Sequence, residues 1–260
     1  MNYWTRLSID YANQRSYLDD LFKVYPTIPD GIRTIDKELW KNIEKAFYSK
    51  INEVLINELL KLDLFPIKDS YIAYLKQDPN SIKRNPQTIN RICGRLYDLG
   101  LDKIFERCSE PKETNRQIGP MFNNWLKRKS LGLQPVSLEE FLSNSNNAIL
   151  GGTDDDKMKF AKIHLNYVRN KGLDLVARFN NKYVIGEAKF LSSDGGSQNS
   201  DFEDAIATIE AKETNAIKVA ILDGVLYIPS GKKMHKYITN PYKDYNIMSS
   251  LVLREFLYQI

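Results

Sequence analysis

Hydrophobic positions in the first half of the chain recur at helical spacing. Between Asp36 and Leu62, residues Trp40, Ile43, Phe47, Ile51, Val54, Leu55 and Leu59 share one face, which predicts a single amphipathic helix closed by Pro66. A shorter helix is expected over Ser70 to Gln77, ended by Asp78-Pro79-Asn80. The next takes Asn85 as cap and Pro86 as its first residue, and runs through Ile89, Ile92, Leu96 and Leu99 to Gly100. Another covers Arg116 to Lys129, turning Ile118, Phe122 and Trp125 inward, with Gly119-Pro120 able to shift its start by one turn. From Leu131 to Ala148 the pattern is loop, apart from a short helix opened by the capping box Ser137-Leu138-Glu139-Glu140. The polar run Ser143 to Asn147 reads as a surface loop.

The second half changes period. Thr153 caps a helix expected over Asp154 to Arg169. Strands are expected at Leu173 to Phe179 and Tyr183 to Lys189, joined by the turn Asn180-Asn181-Lys182. After a glycine-rich loop, Asp201 to Lys212 reads as a helix with Phe202, Ala205, Ile206 and Ile209 on one face. Ala216 to Leu222 is an apolar strand and Val225 to Ile228 a short further one. Helix, hairpin, helix and strand in that order predict an α/β core with a mixed sheet behind a largely helical N-terminal half. The division falls at residues 1–135 and 136–260, an arrangement also compatible with one continuous domain.

Composition narrows the class. With 11% aromatic and 42% hydrophobic residues among 260, the chain can build a core and is not generally disordered. It holds no apolar run long enough to span a membrane, and Met1 to Arg6 lacks the apolar stretch of a secretory signal. Two cysteines, Cys93 and Cys108, exclude a disulfide scaffold and a cysteine-rich zinc site, and fit a reducing cytoplasm. Charge is uneven: Ser81 to Lys129 carries eleven basic and five acidic residues, a net +6 that leaves −2 for the rest of a +4 chain. Such a zone suits a polyanion partner, or a solvated helical surface. Its two short helices around Lys83 and Arg84, with Arg91 beyond, have the outline of a helix-turn-helix or of ordinary packed helices.

The chemistry concentrates in Asp174 and, after twelve intervening residues, Glu187-Ala188-Lys189. Glu187 and Lys189 are two apart on a strand and leave the same face, and Asp174 opens the neighbouring hairpin strand within reach of the same pocket. Two adjacent carboxylates repel unless a cation neutralises them, and hard oxygen ligands suit Mg²⁺, which completes its shell with water and phosphate. A lysine beside them can hold or deprotonate an attacking water and balance phosphate charge. Glu-x-Lys also occurs at Glu110-Pro111-Lys112, in a turn, and at Glu210-Ala211-Lys212, on the expected helix, where the side chains diverge. His164 reads as structural and His235 as a surface or phosphate contact, so neither builds a metal site. No Walker-type loop or dinucleotide fingerprint is present.

Lys171-Gly172-Leu173-Asp174-Leu175-Val176 followed by Tyr183-Val184-Ile185-Gly186-Glu187-Ala188-Lys189-Phe190 resembles the PD-(D/E)xK nuclease motif, in the form found in type II restriction endonucleases; Leu173 stands where the motif has proline. The segments Thr114 to Phe122 and Asp194 to Asn199 are similar to restriction-enzyme segments too. The resemblance implies a mixed-sheet PD-(D/E)xK core flanked by helices, with residues 136–260 catalytic and 1–135 engaging DNA. It implies Asp174 and Glu187 as Mg²⁺ ligands, the Ala188 carbonyl as a further ligand and Lys189 as the water-positioning lysine. Such enzymes often add an upstream acid, here Asp154, with Asp155 and Asp156 as rivals and helix capping as the alternative role for all three. Lys83, Arg84, Arg91, Arg116, Gln198, Lys232 and Lys233 are the expected DNA contacts. The implied protein is a cytoplasmic prokaryotic enzyme that cuts duplex DNA at a short sequence, often as a homodimer, leaving 5′-phosphate ends, with a methyltransferase protecting the host. A repair or junction-resolving nuclease of the same fold and a non-catalytic DNA-binding protein are the rival expectations.

Overall fold

The turn Asn180-Asn181 joins two neighbouring strands of the sheet. Both asparagines have positive φ (50° and 62°), the backbone of a tight primed turn, which asparagine tolerates. In the computed structural model, which describes residues 1–14, 16–26, 32–111, 118–229 and 233–260, contacts divide the chain into two units. One is Met1–Thr27 with Thr114–Ile260, the other Ile28–Glu113. The helical unit is therefore a sequence insertion, and contacts do not divide the chain at the expected residue 135.

Among the described residues the first unit contains α1 (Tyr3–Gln14) and α2 (Tyr17–Val24), and the second α3 (Lys37–Tyr48), α4 (Asn52–Leu60), α5 (Ile72–Gln77), α6 (Ser81–Arg84), α7 (Pro86–Leu99) and α8 (Leu101–Cys108). The first unit resumes with α9 (Ile118–Lys127), β1 (Pro135–Val136), α10 (Leu138–Ser143), β2 (Ala148–Leu150), α11 (Asp154–Leu165), β3 (Leu175–Phe179) and β4 (Lys182–Leu191). It ends with α12 (Ser197–Ile209), β5 (Ile217–Gly224), α13 (Lys233–Thr239), β6 (Ile247–Met248) and α14 (Ser250–Gln259). The strands form one six-stranded sheet in chain order. β1–β2, β4–β5 and β5–β6 are parallel, while β2–β3 and β3–β4 are antiparallel, so the sheet is mixed as expected. None of these helices is long and apolar enough to cross a membrane.

Alternation along the strands splits the core. Leu175, Ala177, Phe179, Val184 and Ala188 pack into one cluster with Phe122, Phe202 and Phe256. Val176 and Ile185 pack on the other face with Phe141, Phe160 and Leu173. At the end of β5 the fully buried Asp223 accepts hydrogen bonds from the hydroxyls of Tyr17 and Tyr25 (both 3.1 Å), the Ser249 hydroxyl and the Ser250 N–H. Burial pushes its carboxyl up, and these donors oppose the shift. Next to it, Gly224 has φ +107°, and a Cβ there would lie 2.1 Å from the Leu191 carbonyl oxygen. Gly224→Ala is expected to cost at least about 2 kcal/mol through backbone strain and this clash, read as a fall in the thermal midpoint.

The second unit has its own core, including Ile43, Leu55, Ile56, Ile89, Ile92, Cys93 and Ile104. Several sequence expectations are corrected. The single helix over Asp36 to Leu62 is two, α3 and α4, broken where Lys50 takes φ +56°. Re-aiming α4 buries Leu55, Ile56 and Leu59 and leaves Ile51 and Val54 exposed, because tertiary packing of the pair overrides continuous periodicity. α11 stops at Leu165 rather than Arg169, capped by Asn166 in the left-handed region. α12 starts at Ser197 and ends at Ile209, so Ala211 and Lys212 lie beyond it. Val225–Tyr227 is a 3₁₀ turn rather than a strand, since Gly224 reverses the chain and a short apolar run carries no period of its own.

Candidate active site

Register brings the acidic residues together. β3 and β4 pair Leu175 with Gly186 and Val176 with Ile185. One step outward, the Asp174 N–H donates to the Gly186 carbonyl (3.1 Å), which sets Asp174 against Glu187 on the face that also carries Lys189. Asp174 Oδ2 accepts from the Ala188 N–H at 2.8 Å. The N–H and C=O of one strand residue leave on the same side, so the Ala188 carbonyl is directed toward Asp174 as well. β4 lies between β3 and β5, so Glu187 and Lys189 sit on an interior strand, not at a sheet edge.

The loop before β3 brings up a third carboxylate. Leu173 N–H donates to the Asp154 carbonyl (3.1 Å), and a Cβ on Gly172 would lie 2.9 Å from Asp154 Cβ. Glycine at 172 is therefore what lets the start of α11 approach the chain just ahead of Asp174. Asp154, Asp174, Glu187, Ala188, Lys189, Lys171, Gln198 and Asp201 line one cavity of about 360 Å³. Asp155 pairs instead with Lys159 (2.6 Å), and Asp156 completes the capping box with Thr153, whose donors hold its carboxyl below the usual range. Capping and pairing thus occupy two of the three aspartates, and Asp154 alone of them reaches the cavity.

Electrostatics in the cavity are unbalanced. Asp174 and Glu187 are 7% and 2% exposed. Burial, and then the facing Glu187 charge, push the Asp174 carboxyl up. Glu187 Oε1 receives Lys189 Nζ at 2.7 Å and has Lys171 Nζ at 3.9 Å. Burial alone would lower Lys189, but the Glu187 charge and hydrogen bond raise it, so the side chain is an ammonium. Glu187 Oε2 is buried without a hydrogen-bond partner. An unpartnered carboxylate oxygen beside a second buried carboxylate fits a hard divalent cation. No group of three or more His, Cys, Asp or Glu side chains stands ready to hold a metal among the described residues. Asp154 turns one oxygen toward the buried Lys157 (3.6 Å).

A family model described as Tsp45I type II restriction enzyme matches residues 2–260. The chain belongs to this family. No curated protein and no solved structure matches the chain. Membership makes this type II restriction enzyme a site-specific endodeoxyribonuclease and makes DNA its partner.

The remaining expected site residues of the restriction enzyme scatter. Gln198 lies in the first turn of α12, not in a loop; it is buried, and its Oε1 accepts from the Ser192 N–H (2.8 Å). Lys83 and Arg84 lie in α6 and Arg91 in α7, all in the second unit. Arg84 pairs with Asp78, and Arg91 (2.5 Å) and Arg95 (3.7 Å) share Asp69. Lys233 pairs with Glu203 (3.4 Å) on α12. Arg116 and Lys232 lie outside the described residues. His164 stacks on Phe160, and His235 Nδ1 lies 2.9 Å from the Leu226 carbonyl. Sequence reasoning missed Lys171, Asp201 and Lys157. Lys157 had a legible signal, since it lies one helical turn from Asp154. Lys171 lay inside the motif, but its pairing with Asp204 (2.8 Å) on α12 requires the fold.

Glu210 and Lys212 are a control for the motif. They leave the end of α12 and do not line the cavity. Glu210→Ala and Lys212→Ala are each expected to leave the single-turnover cleavage rate and its metal dependence unchanged. A hundredfold fall in either variant would relocate the catalytic strand.

Proposed function

We propose that this restriction enzyme hydrolyses phosphodiester bonds of duplex DNA with Mg²⁺, using Asp174, Glu187 and Lys189 in a PD-(D/E)xK-type core. The observation that carries the reading is the buried, unpartnered Glu187 Oε2 in a cavity lined also by Asp174 and Lys189. Asp174, Glu187 and the Ala188 carbonyl are the groups that would hold the metal. Bound there, a divalent cation supplies the positive charge that offsets the two carboxylates and the scissile phosphate and acidifies water. Asp154 adds negative potential to the same wall. Lys189 Nζ, a charged donor 2.7 Å from Glu187, orients the attacking water and screens a phosphate oxygen.

Hydrolysis in this sense leaves a 5′-phosphate and a 3′-hydroxyl. Lys83, Arg84, Arg91, Arg116, Gln198, Lys232 and Lys233 remain proposed DNA contacts, with Arg84, Arg91 and Lys233 released from Asp78, Asp69 and Glu203. The enzyme is proposed to act in the cytoplasm as a homodimer, with a cognate methyltransferase protecting host sites. Incubating the protein with a mapped plasmid and Mg²⁺ tests the reading. Discrete fragments with ligatable 5′-phosphate ends, abolished by EDTA, are expected. Structure-dependent nicking would favour a repair nuclease, and a mobility shift without cutting a binding protein.

A further inference from the structure

Lys157, beside the cavity, is buried as deeply as Glu187, at 2% exposure. It lies on α11, one turn after Asp154, and does not itself line the cavity. Its ammonium donates to the Asp174 main-chain carbonyl (2.8 Å) and to Asn123 Oδ1 on α9 (2.9 Å), and faces Asp154 Oδ1 at 3.6 Å. An ammonium has three protons; two meet acceptors from two other parts of the fold, and the charge is within ion-pair range of Asp154 on its own helix.

The energetics make this placement informative. Burying an ammonium carries a large desolvation cost, and an apolar side chain would seat α11 against the sheet without it. The charge stands where two of its three polar partners, Asp174 and Asp154, are cavity-lining aspartates. Asp174 is consequently held at both ends. Lys157 holds its carbonyl, and the Ala188 N–H holds Oδ2 of its carboxylate. The same positive charge lies behind Asp154 and Asp174, two of the carboxylates that line the cavity with Glu187.

We propose that Lys157 is the positioning residue of this site, fixing Asp174 and Asp154 in the geometry the cleavage step needs. The inference rests on the reading of Asp174 and Glu187 as the metal-holding pair. It deepens that reading by naming the group that orients one member of the pair from behind.

The test compares Lys157→Met and Lys157→Gln with Asn123→Ala. Asn123→Ala removes an acceptor of the same ammonium but leaves the Lys157–Asp174 hydrogen bond in place. Each variant is checked by thermal melting, by binding to a duplex carrying a mapped cleavage site in EDTA, and by single-turnover cleavage of saturating duplex in Mg²⁺. For a folded Lys157 variant the expected result is duplex affinity close to wild type with cleavage slowed roughly a hundredfold, the scale of an ångström misplacement of a reacting group. Asn123→Ala is expected to lower the melting midpoint while keeping the cleavage rate within about threefold of wild type, because the orienting contact survives.

Wild-type-like cleavage in a folded Lys157 variant would overturn the proposal. So would an equal loss of rate in Asn123→Ala, or failure of both Lys157 variants to fold, since each marks the lysine as a packing tie. Asp174→Asn is run alongside to separate the two levels. Active Asp174→Asn sinks the underlying site reading, whereas inactive Asp174→Asn with active Lys157→Met sinks only the role of Lys157.

Discussion

Lys189→Ala is expected to slow single-turnover cleavage of saturating duplex by at least about a hundredfold, the lower end of what a positioned acid–base group supplies. Lys189 Nζ lies 2.7 Å from Glu187 Oε1 on an interior strand of the sheet. Lys171 is the nearest other ammonium, but it is 3.9 Å from that oxygen and bonded at 2.8 Å to Asp204. DNA binding in EDTA is expected to persist, because the remaining basic residues are untouched. Both activities are measured on one preparation. Retention of more than about a tenth of the wild-type rate would remove Lys189 from the proposed chemistry, since that residual rate leaves only about 1.4 kcal/mol to explain.

Asp174→Asn and Glu187→Gln are expected to collapse cleavage by a similar or larger factor. Each substitution removes a ligand and a charge together, and metal-ion stabilisation of a phosphoryl transition state is worth several kcal/mol. The two variants differ in stability. Asn at 174 retains an acceptor for the Ala188 N–H and relieves the repulsion with Glu187, so its melting midpoint should match or exceed wild type. Gln at 187 leaves the Lys189 ammonium without its charged partner and should melt no higher than wild type. DNA binding without metal is expected to tighten in Asp174→Asn, because a carboxylate facing a phosphate repels it. Mobility shifts in EDTA and a Mg²⁺ titration of the cleavage rate measure both effects. A wild-type Mg²⁺ profile in Asp174→Asn would exclude that residue from the metal site.

Much of the candidate site was legible as sequence because strand geometry is local. Glu187 and Lys189 share a face by the period of two, and the asparagine turn fixes the hairpin that sets Asp174 opposite Glu187. Asp154 was legible only as one of three adjacent aspartates. Choosing it required knowing that Thr153 engages Asp156, that Lys159 engages Asp155, and that Gly172 lets the α11 terminus come close. The spacing of Lys157 from Asp154 was legible, but its burial was not, because a lysine in a helical pattern reads as exposed until the sheet is packed against it. The break between α3 and α4 was hidden for a related reason: the apolar spacing continues through Lys50, and only packing of the two helices decides where the chain must turn.

The sequence by itself determined the α/β class, the helical first half, the hairpin, and a pair of carboxylates with a lysine on one strand face. These follow from short-range periodicity and turn chemistry, whose range is a few residues. The tertiary structure decided which acids and cations share a cavity, which basic residues are already paired with aspartates, and that residues 28–113 form a unit of their own. It also decided the two-residue strands Pro135–Val136 and Ile247–Met248, too short to carry a period. Those features depend on burial and on contacts between residues far apart in the chain, and local spacing carries no record of either.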